Sequence, residues 1–283
     1  MSDIFDFSPQ VDHYAVMGNP IGHSKSPAIH ARFAAQTGQR IEYTAIQVDP
    51  GGFGQAVSHF MASGGKGLNV TVPFKQEAWA LADERSERAE RAGAVNTLLF
   101  RDEKIIGDNT DGIGLVRDLA DNKQRQLQGS RILLMGAGGA ARGVLAPLLE
   151  QRPAQLVIVN RTAEKAKDLA DAFADSGAVT GCGYDALAGQ SFDLIINATA
   201  ASLQGELPPL PDGIIATGGA CYDMMYGSEP TAFMNWCMQQ GAGAVYDGLG
   251  MLVEQAAESF WLWRGVRPQT GEVIEALRQE MSR

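Results

Sequence analysis

Three groups of residues in this sequence are spaced to do chemistry. The first is Gly136-Ala137-Gly138-Gly139-Ala140-Ala141, which follows the apolar run Arg131-Ile132-Leu133-Leu134-Met135 and precedes a helix-like stretch. Glycines at this Gly-x-Gly-x-x-Ala spacing permit a tight turn and a close approach of backbone to a pyrophosphate. The helix that follows offers free N–H groups and the positive end of its dipole. With 33 glycines in the chain such spacings arise by chance, so it is the strand–turn–helix context that makes this a dinucleotide site. The second group is Asn160-Arg161-Thr162, at the end of the next apolar strand. A site for NAD ends that strand in Asp or Glu, which would repel a 2'-phosphate; Arg161 can instead grip one with a charged fork, so NADP is expected. Arg142 and Lys165 lie near enough in sequence to add positive potential. The third group is a set of polar clusters, Ser24/Ser26, Thr71/Lys75, Asn96 and Asp108/Asp111, each at the end of an apolar strand, where open α/β sheets place their ligands.

The elements that position these groups alternate between strand and helix. Hydrophobic patterning predicts strands at Tyr14–Met17, Tyr43–Val48, Gly67–Val72 and Leu98–Phe100. Helices are expected at Ala28–Gln36, with Pro27 in the first turn and Ser26 as cap, at Phe53–Ala62, and at Glu77–Ala82 with an extension toward Arg91. After the loop Gly107–Gly112 a helical stretch runs from Ile113 to Asp121. Charged and Gln residues replace apolar ones from Asp121 to Gly129, and a domain boundary is placed close by. Beyond it come the strand Arg131–Met135, a helix to Glu150, the strand Leu156–Val159, a helix Ala163–Phe173, the strand Leu194–Ala198 and a weaker strand Ile214–Thr217. Helices Thr231–Gln240, Gly250–Arg264 and Val273–Glu280 close the chain. A strand apolar on both faces, as at Ile132–Met135, belongs in a parallel sheet covered by helices, so the fold class is α/β.

Composition narrows the function classes. The 283 residues, 45% hydrophobic, suffice to bury about three quarters of the extended chain's surface in one or two domains. A net charge of −10 argues against nucleic acid or an anionic membrane as partner. No apolar stretch approaches the ~20 residues of a membrane span, and Met1-Ser2-Asp3-Ile4 lacks the basic-then-apolar order of a secretory signal. Cys182, Cys221 and Cys237 form no paired framework or metal motif, which points to reduced thiols, a cytoplasmic location and no bound metal.

Taken in order, the segments resemble the shikimate dehydrogenase family over nearly the whole chain. They are Tyr14–Ile29 (YAVMGNPIGHSKSPAI), Asn69–Lys75 (NVTVPFK), Gly93–Thr97 (GAVNT), Gly107–Gly114 (GDNTDGIG), Gly136–Gly143 (GAGGAARG), Asn160–Thr162 (NRT), Asn197–Thr199 (NAT), Tyr222–Tyr226 (YDMMY) and Asp247–Gln255 (DGLGMLVEQ). The chain departs from the family's commonest wording at Ala200-Ala201, where serines are frequent, and at Thr217–Ala220, where relatives carry a more apolar or acid-containing strand. The resemblance implies two α/β domains, an N-terminal substrate-binding domain and a Rossmann-type NADP-binding domain, with C-terminal helices returning to the first. Their expected bounds are 1–112 with 248–283, and 113–247. It implies NADPH-dependent reduction of 3-dehydroshikimate to shikimate by a monomer or homodimer. Ser24 and Ser26 would hold the substrate carboxylate; Thr71, Lys75, Asn96 and Asp111 would contact ring hydroxyls and the reacting oxygen; Tyr226 and Gln255 would complete the pocket. The cofactor set would be Gly136, Ala137, Gly138, Gly139, Ala140, Asn160, Arg161, Thr162 and Lys165, with Thr199, Gly248 and Met251.

Hydride transfer to a ketone builds negative charge on its oxygen, and a proton must arrive as that charge grows. Lys75 and Asp111 are the catalytic candidates: an ammonium to stabilise the alkoxide and donate the proton, and a carboxylate to orient it, titrating as one coupled unit. The rival readings are a relative that also takes quinate with either nicotinamide cofactor, a reductase of an aminated ring acid, and a noncatalytic NADP-binding sensor or scaffold.

Overall fold

Alternating apolar strands and amphipathic helices build two six-stranded sheets, each in its own unit. The computed structural model describes residues 11–199 and 207–282; Met1-Ser2-Asp3-Ile4 and Ala200-Ala201 lie outside them. In chain order the first elements are β1 (Asp12–Gly18), α1 (Ser26–Thr37), β2 (Ile41–Gln47), α2 (Phe53–Ala62), β3 (Gly65–Val70), α3 (Lys75–Leu81), β4 (Glu84–Arg85), α4 (Glu87–Ala92), β5 (Thr97–Arg101) and β6 (Lys104–Asp108). They are followed by α5 (Asp111–Arg117), β7 (Arg131–Met135), α6 (Gly139–Glu150), β8 (Gln155–Val159), α7 (Ala163–Asp171), β9 (Val179–Cys182) and β10 (Phe192–Asn197). The chain then forms β11 (Ile215–Asp223), α8 (Ala232–Gln239), β12 (Ala244–Tyr246), α9 (Leu249–Arg264) and α10 (Gly271–Met281).

The first unit comprises the described residues through Ser86, Val95–Asp108 and Ala256–Gln269. Its sheet runs β2-β1-β3-β5-β6-β4. The strands β2, β1 and β3 are parallel, whereas β5 pairs antiparallel with both β3 and β6. The N-terminal end of β5 therefore lies at the same sheet edge as the C-terminal end of β3. Tyr14, Val16, Ile29, Phe33, Leu68, Val70, Leu98 and Phe260 are buried in this unit.

The second unit comprises Glu87–Ala94, the described part of Asn109–Gln255, and 270–282. Its sheet is wholly parallel, in the order β12-β11-β10-β7-β8-β9. Counted from β7 this is the doubly wound order 3-2-1-4-5-6 read backwards, with the topological switch between β7 and β10. One face of the sheet is filled by Ile132, Leu134, Val144, Leu148, Ile158 and Tyr222, the other by Leu133, Val157, Ile195, Phe233 and Cys237.

The observed division is narrower at the C-terminus than the drawn bounds: 248–255 and 270–282 cluster with the second unit, as do Glu87–Ala94. The bonds explain it. Arg278 forks onto Asp247 with two contacts of 2.5 Å, and the Thr270 hydroxyl donates to Glu254 at 2.6 Å.

Several elements differ from the expectation. The extended helix over 77–91 is interrupted, because β4 pairs with β6 and Asp83 exchanges bonds with Ile105 in both directions, at 2.8 Å each. Ser26 does not cap α1; the helix starts at Ser26 itself, after Lys25, and no side chain caps it. The weak strand at Ile214–Thr217 is the start of a longer one, β11, whose last residues Ala220–Asp223 are buried. Gly218, at φ +74°, lies where its register against β10 shifts.

A π-turn at Asp118–Asn122 extends α5 and buries the Asp118 carboxylate completely. Tyr222 donates to it at 2.7 Å and Asn122 at 3.0 Å. A Cβ on Gly250 would land on this carboxylate. Gly→Ala inside an exposed helix gains stability, but overpacking outweighs that gain here, so Gly250→Ala is expected to destabilise by about 1–3 kcal/mol. The check is the denaturant midpoint, and an unchanged or raised value would contradict the packing.

Candidate active site

The first unit gathers five of the expected site residues at one end of its sheet. The end of β1 is joined to the end of β3 by Thr71 N–H donating to the Met17 carbonyl and Asn19 N–H to the Val72 carbonyl, both at 3.0 Å. Gly18 is required there, since a Cβ would run into the Thr71 side chain and lie 3.2 Å from the Val72 carbonyl. The loop that follows places Ser24 partly exposed and Ser26 buried. Ser26 N–H donates to Ser24 Oγ at 3.3 Å, and the Ser26 hydroxyl hydrogen-bonds the Tyr43 phenol, whose burial holds its titration well above the usual range. Ser26 is thus turned inward by Tyr43, which is why it does not serve as a helix cap.

Lys75 opens α3 after the cis peptide Val72-Pro73. Its backbone is held from two directions. Phe74 is fully buried and stacks on Phe53 at 5.0 Å, and the Lys75 carbonyl accepts Val95 N–H at 2.9 Å. The same loop carries Asn96, whose carbonyl accepts Val70 N–H at 2.8 Å and whose N–H donates to the Asp108 carbonyl at 3.0 Å. Thr71, Lys75 and Asn96 are therefore fixed to one another through backbone bonds rather than left on independent loops. Asp108, one of the polar pairs singled out in the sequence, is bound by the Ser86 hydroxyl at 2.5 Å and braces β6.

The second unit packs α5, which opens with Asp111, against the fingerprint helix α6, and packs Gln255 and Met251 against α5. Asn109 shapes the turn before Asp111: its oxygen accepts Asp111 N–H at 3.1 Å and its Nδ2 donates to the Ala94 carbonyl at 3.0 Å. Asp111 is only 9% exposed, and a Cβ on Gly143 would stand 3.6 Å from its Oδ2. Gly112 packs on Pro147 of α6, and Gly114 on the Gln255 backbone and the Met251 carbonyl. Small residues on α5 therefore bring the Asp111 carboxylate to Gly143 in the second turn of α6. The Thr110 hydroxyl lies 3.4 Å from Gln255 Oε1.

The fingerprint itself has the form a dinucleotide phosphate needs. Gly136 turns with φ +107°, and a Cβ there would stand 3.2 Å from the Ala198 carbonyl, so a side chain is excluded where β7 and β10 end. Over Gly138 and Gly139 a Cβ would meet nothing within 4 Å, which leaves open space above the turn. No side chain caps α6, so its first-turn N–H groups remain for an anion. Thr199 is oriented by Asn197, whose Oδ1 accepts both the Thr199 N–H at 3.1 Å and its hydroxyl at 2.7 Å. At the end of β8, Asn160 Nδ2 donates to the Thr162 carbonyl at 3.0 Å, which folds the Asn160-Arg161-Thr162 turn and leaves Arg161 exposed. Burial pushes the Tyr184 phenol up to about 12, and the Arg161 charge pulls it back. Lys165 is exposed in the first turn of α7. These groups fit an adenosine 2'-phosphate and a pyrophosphate.

Gly248 is packed so tightly on the Met224 carbonyl that only glycine fits, and its N–H donates to the Met225 carbonyl at 2.9 Å. That joins Gly248 and Met251 to the segment carrying Tyr226, whose phenol is raised by burial. Tyr43, Asn69, Thr97 and Asn109 are site-shaping residues that the sequence reading did not assign. For Asn69 there was a signal, a lone amide inside the apolar strand β3 where a buried polar group needs partners.

Comparison with known proteins agrees over the chain's length. The family model described as shikimate dehydrogenase substrate binding domain matches residues 16–98, shikimate / quinate 5-dehydrogenase matches 118–204, and shikimate 5'-dehydrogenase C-terminal domain matches 248–278. A protein of Methylococcus capsulatus named shikimate dehydrogenase (NADP(+)) is 62% identical over 272 residues, which are 96% of this chain and 98% of that one. Among solved structures, an Ael1 enzyme from Pseudomonas putida is 48% identical with a TM-score of 0.90, covering 94% of this chain and 98% of that one. A shikimate 5-dehydrogenase from Thermus thermophilus in complex with NADP(H) and shikimate is 31% identical with a TM-score of 0.84, covering 95% and 99%. With its two α/β units and its ordered set of motifs, this chain belongs to the shikimate/quinate dehydrogenase family.

Proposed function

We propose that this chain catalyses the NADPH-dependent, reversible reduction of 3-dehydroshikimate to shikimate. The observation that carries the reading is the gathering of Ser24, Ser26, Thr71, Lys75 and Asn96 at one end of the first sheet, in a chain similar along its length to enzymes named for that reaction. Hydroxyl donors suit a carboxylate, and Ser24 takes that end of the substrate with Ser26 beside it, the Ser26 hydroxyl itself being held by Tyr43. Thr71 and Asn96 bind ring hydroxyls. NADPH, when bound, supplies the hydride. As charge grows on the ketone oxygen, the Lys75 ammonium stabilises it and gives the proton from Nζ, and in the reverse direction Lys75 takes the proton back. Asp111 would accept a hydrogen bond from a ring hydroxyl, and Tyr226 and Gln255 would also serve the substrate. Gly136–Ala140 would hold the pyrophosphate, Asn160, Arg161, Thr162 and Lys165 the 2'-phosphate, and Thr199, Gly248 and Met251 the nicotinamide end. The reading places the protein in the cytoplasm, where its three free cysteines stay reduced. Among the described residues no helix is long and apolar enough to cross a membrane.

Purified protein should reduce NADP when given shikimate, followed by absorbance of the reduced nicotinamide. Ser24→Ala should raise the Michaelis constant for shikimate by roughly tenfold, about the worth of one hydrogen bond to a charged group. Turnover at saturation should change far less. An unchanged Michaelis constant would remove Ser24 from the carboxylate site.

A further inference from the structure

Two of the residues proposed to take the nicotinamide end, Gly248 and Met251, flank the start of α9, and that start rests on a buried carboxylate. Asp118 is fully buried, and it lies so close to Gly250 that a Cβ there would land on its side chain. One turn earlier, Gly114 of α5 packs on the Met251 carbonyl. Residues four apart share a helix face, so one face of α5 and of the π-turn that continues it meets the first turn of α9. The π-turn is closed by Lys123 N–H, which donates to the Asp118 carbonyl at 2.9 Å.

The directions of the bonds at this carboxylate are fixed, because a carboxylate only accepts. Tyr222 Oη donates its single proton to Asp118 Oδ2 at 2.7 Å, and Asn122 Nδ2 donates to Oδ1 at 3.0 Å. The same Asn122 nitrogen has a second proton for Glu254 Oε1, 2.9 Å away and one turn further along α9. Burial, and then the Asp118 charge, push the Tyr222 phenol well above its usual range, so it stays a donor. Lys123 Nζ, 3.7 Å from Oδ1, offsets part of the buried charge, and the positive end of the α9 dipole offsets more. Tyr222 itself is fully buried on β11, in the apolar cluster that also holds Met251. An apolar pair could fill this space without the cost of burying a charge. What the satisfied hydrogen bonds add is a single arrangement of the groups they join.

We propose that Tyr222 and Asp118 are positioning residues for the cofactor: acting through Gly250, they hold Gly248 and Met251 in the arrangement that the nicotinamide end requires. The inference rests on the proposed placement of that end at Thr199, Gly248 and Met251, and it adds the buried pair that presets the place. Without the phenol proton the carboxylate turns to another donor, and the start of α9 relaxes in the free protein. Binding must then restore the arrangement, and affinity falls by that cost. The loss belongs to the nicotinamide end alone, because the 2'-phosphate is assigned to Asn160, Arg161, Thr162 and Lys165, which follow β8.

The test measures dissociation constants for two ligands, NADPH by its nicotinamide fluorescence and adenosine 2',5'-bisphosphate by calorimetry. The second carries the adenosine end and has no nicotinamide. The proteins are wild type, Tyr222→Phe, Asp118→Asn and Met251→Ala. Tyr222→Phe, which removes one hydroxyl, should weaken NADPH roughly tenfold, the scale of a buried acceptor left unpaired, and leave the bisphosphate within about twofold. Asp118→Asn keeps the volume but turns an amide N–H2 toward the Tyr222 or the Asn122 donor, so it should give the same split. A merely structural brace would not distinguish the two ligands. NADPH affinity within about twofold of wild type in both variants overturns the inference. Equal loss of both ligands in both variants, unfolding included, marks a brace for the whole unit and overturns it as well. Met251→Ala separates these results from the placement: unchanged NADPH affinity in that variant fails the placement, whereas weakened NADPH there beside unchanged Tyr222→Phe and Asp118→Asn fails the inference alone. Wild type that binds neither ligand defeats the cofactor reading, and the inference goes with it.

Discussion

Lys75→Ala should lower turnover by at least ~100-fold, with the Michaelis constant for NADP changed by no more than about twofold. The expected size follows from the two tasks assigned to one group. The ammonium stabilises the growing alkoxide and supplies the proton that quenches it, and no neighbouring residue of the NVTVPFK segment has a proton of similar acidity to offer. The fold should tolerate the change. The local backbone is held by buried Phe74 and by Val95 N–H on the Lys75 carbonyl, neither of which uses the Lys75 side chain. An unchanged unfolding midpoint beside a collapsed kcat would therefore locate the loss in the chemistry. Turnover within a few-fold of wild type would remove Lys75 from the role.

The second large effect concerns the cofactor. Arg161→Ala should weaken NADP binding by roughly 10- to 100-fold, the range set by about 1.5–3 kcal/mol for hydrogen bonds to a charged group. Binding of NAD, which has no 2'-phosphate, should hardly change, so the preference between the two cofactors falls by the same factor. The Arg161 side chain is exposed and sits on a turn folded by Asn160, so its truncation should leave the unit stable. Raising the salt concentration should shrink the difference between wild type and variant, because an exposed charge pair is screened. Equal preference in the two proteins would sink the assignment.

Much of the second unit was legible because its strands are continuous apolar runs. β7 and β8 are buried and nearly unbroken, so both strands and the turn between β7 and α6 stand out in the sequence. The elements missed there are short or rich in glycine. In β9, Gly181 is pressed against the Ala166 backbone of α7, where no side chain could fit, so a residue that weakens the strand signal is the one its packing requires. In β11, Gly218-Gly219 conceals how far the strand begun at Ile215 extends, which is set by pairing with β10 and β12.

In the first unit the β5–β6 hairpin was hidden because its turn is Asp102-Glu103 instead of Asn-Gly. Both residues take positive φ, 51° and 61°, the conformation that glycine and asparagine normally advertise. The segment Ala82–Ser86 reads as helix by propensity, and only its pairing with β6, distant in sequence, makes it a strand. The same limit applies at the site. The serines, Lys75, Asn96 and Asp111 stood out as polar groups at strand ends. The roles of Tyr43 and Asn69 depend on partners as far along the chain as Ser259, which no local pattern connects.

The central claim is tested most directly by the rate of NADPH oxidation when the purified protein is given 3-dehydroshikimate, beside parallel reactions with NADH and with 3-dehydroquinate. The account predicts fast oxidation with NADPH and 3-dehydroshikimate and little with either replacement. Comparable rates with 3-dehydroquinate or NADH would contradict the narrow specificity assigned here, and no turnover with any pair, in protein that binds NADP, would contradict the function itself.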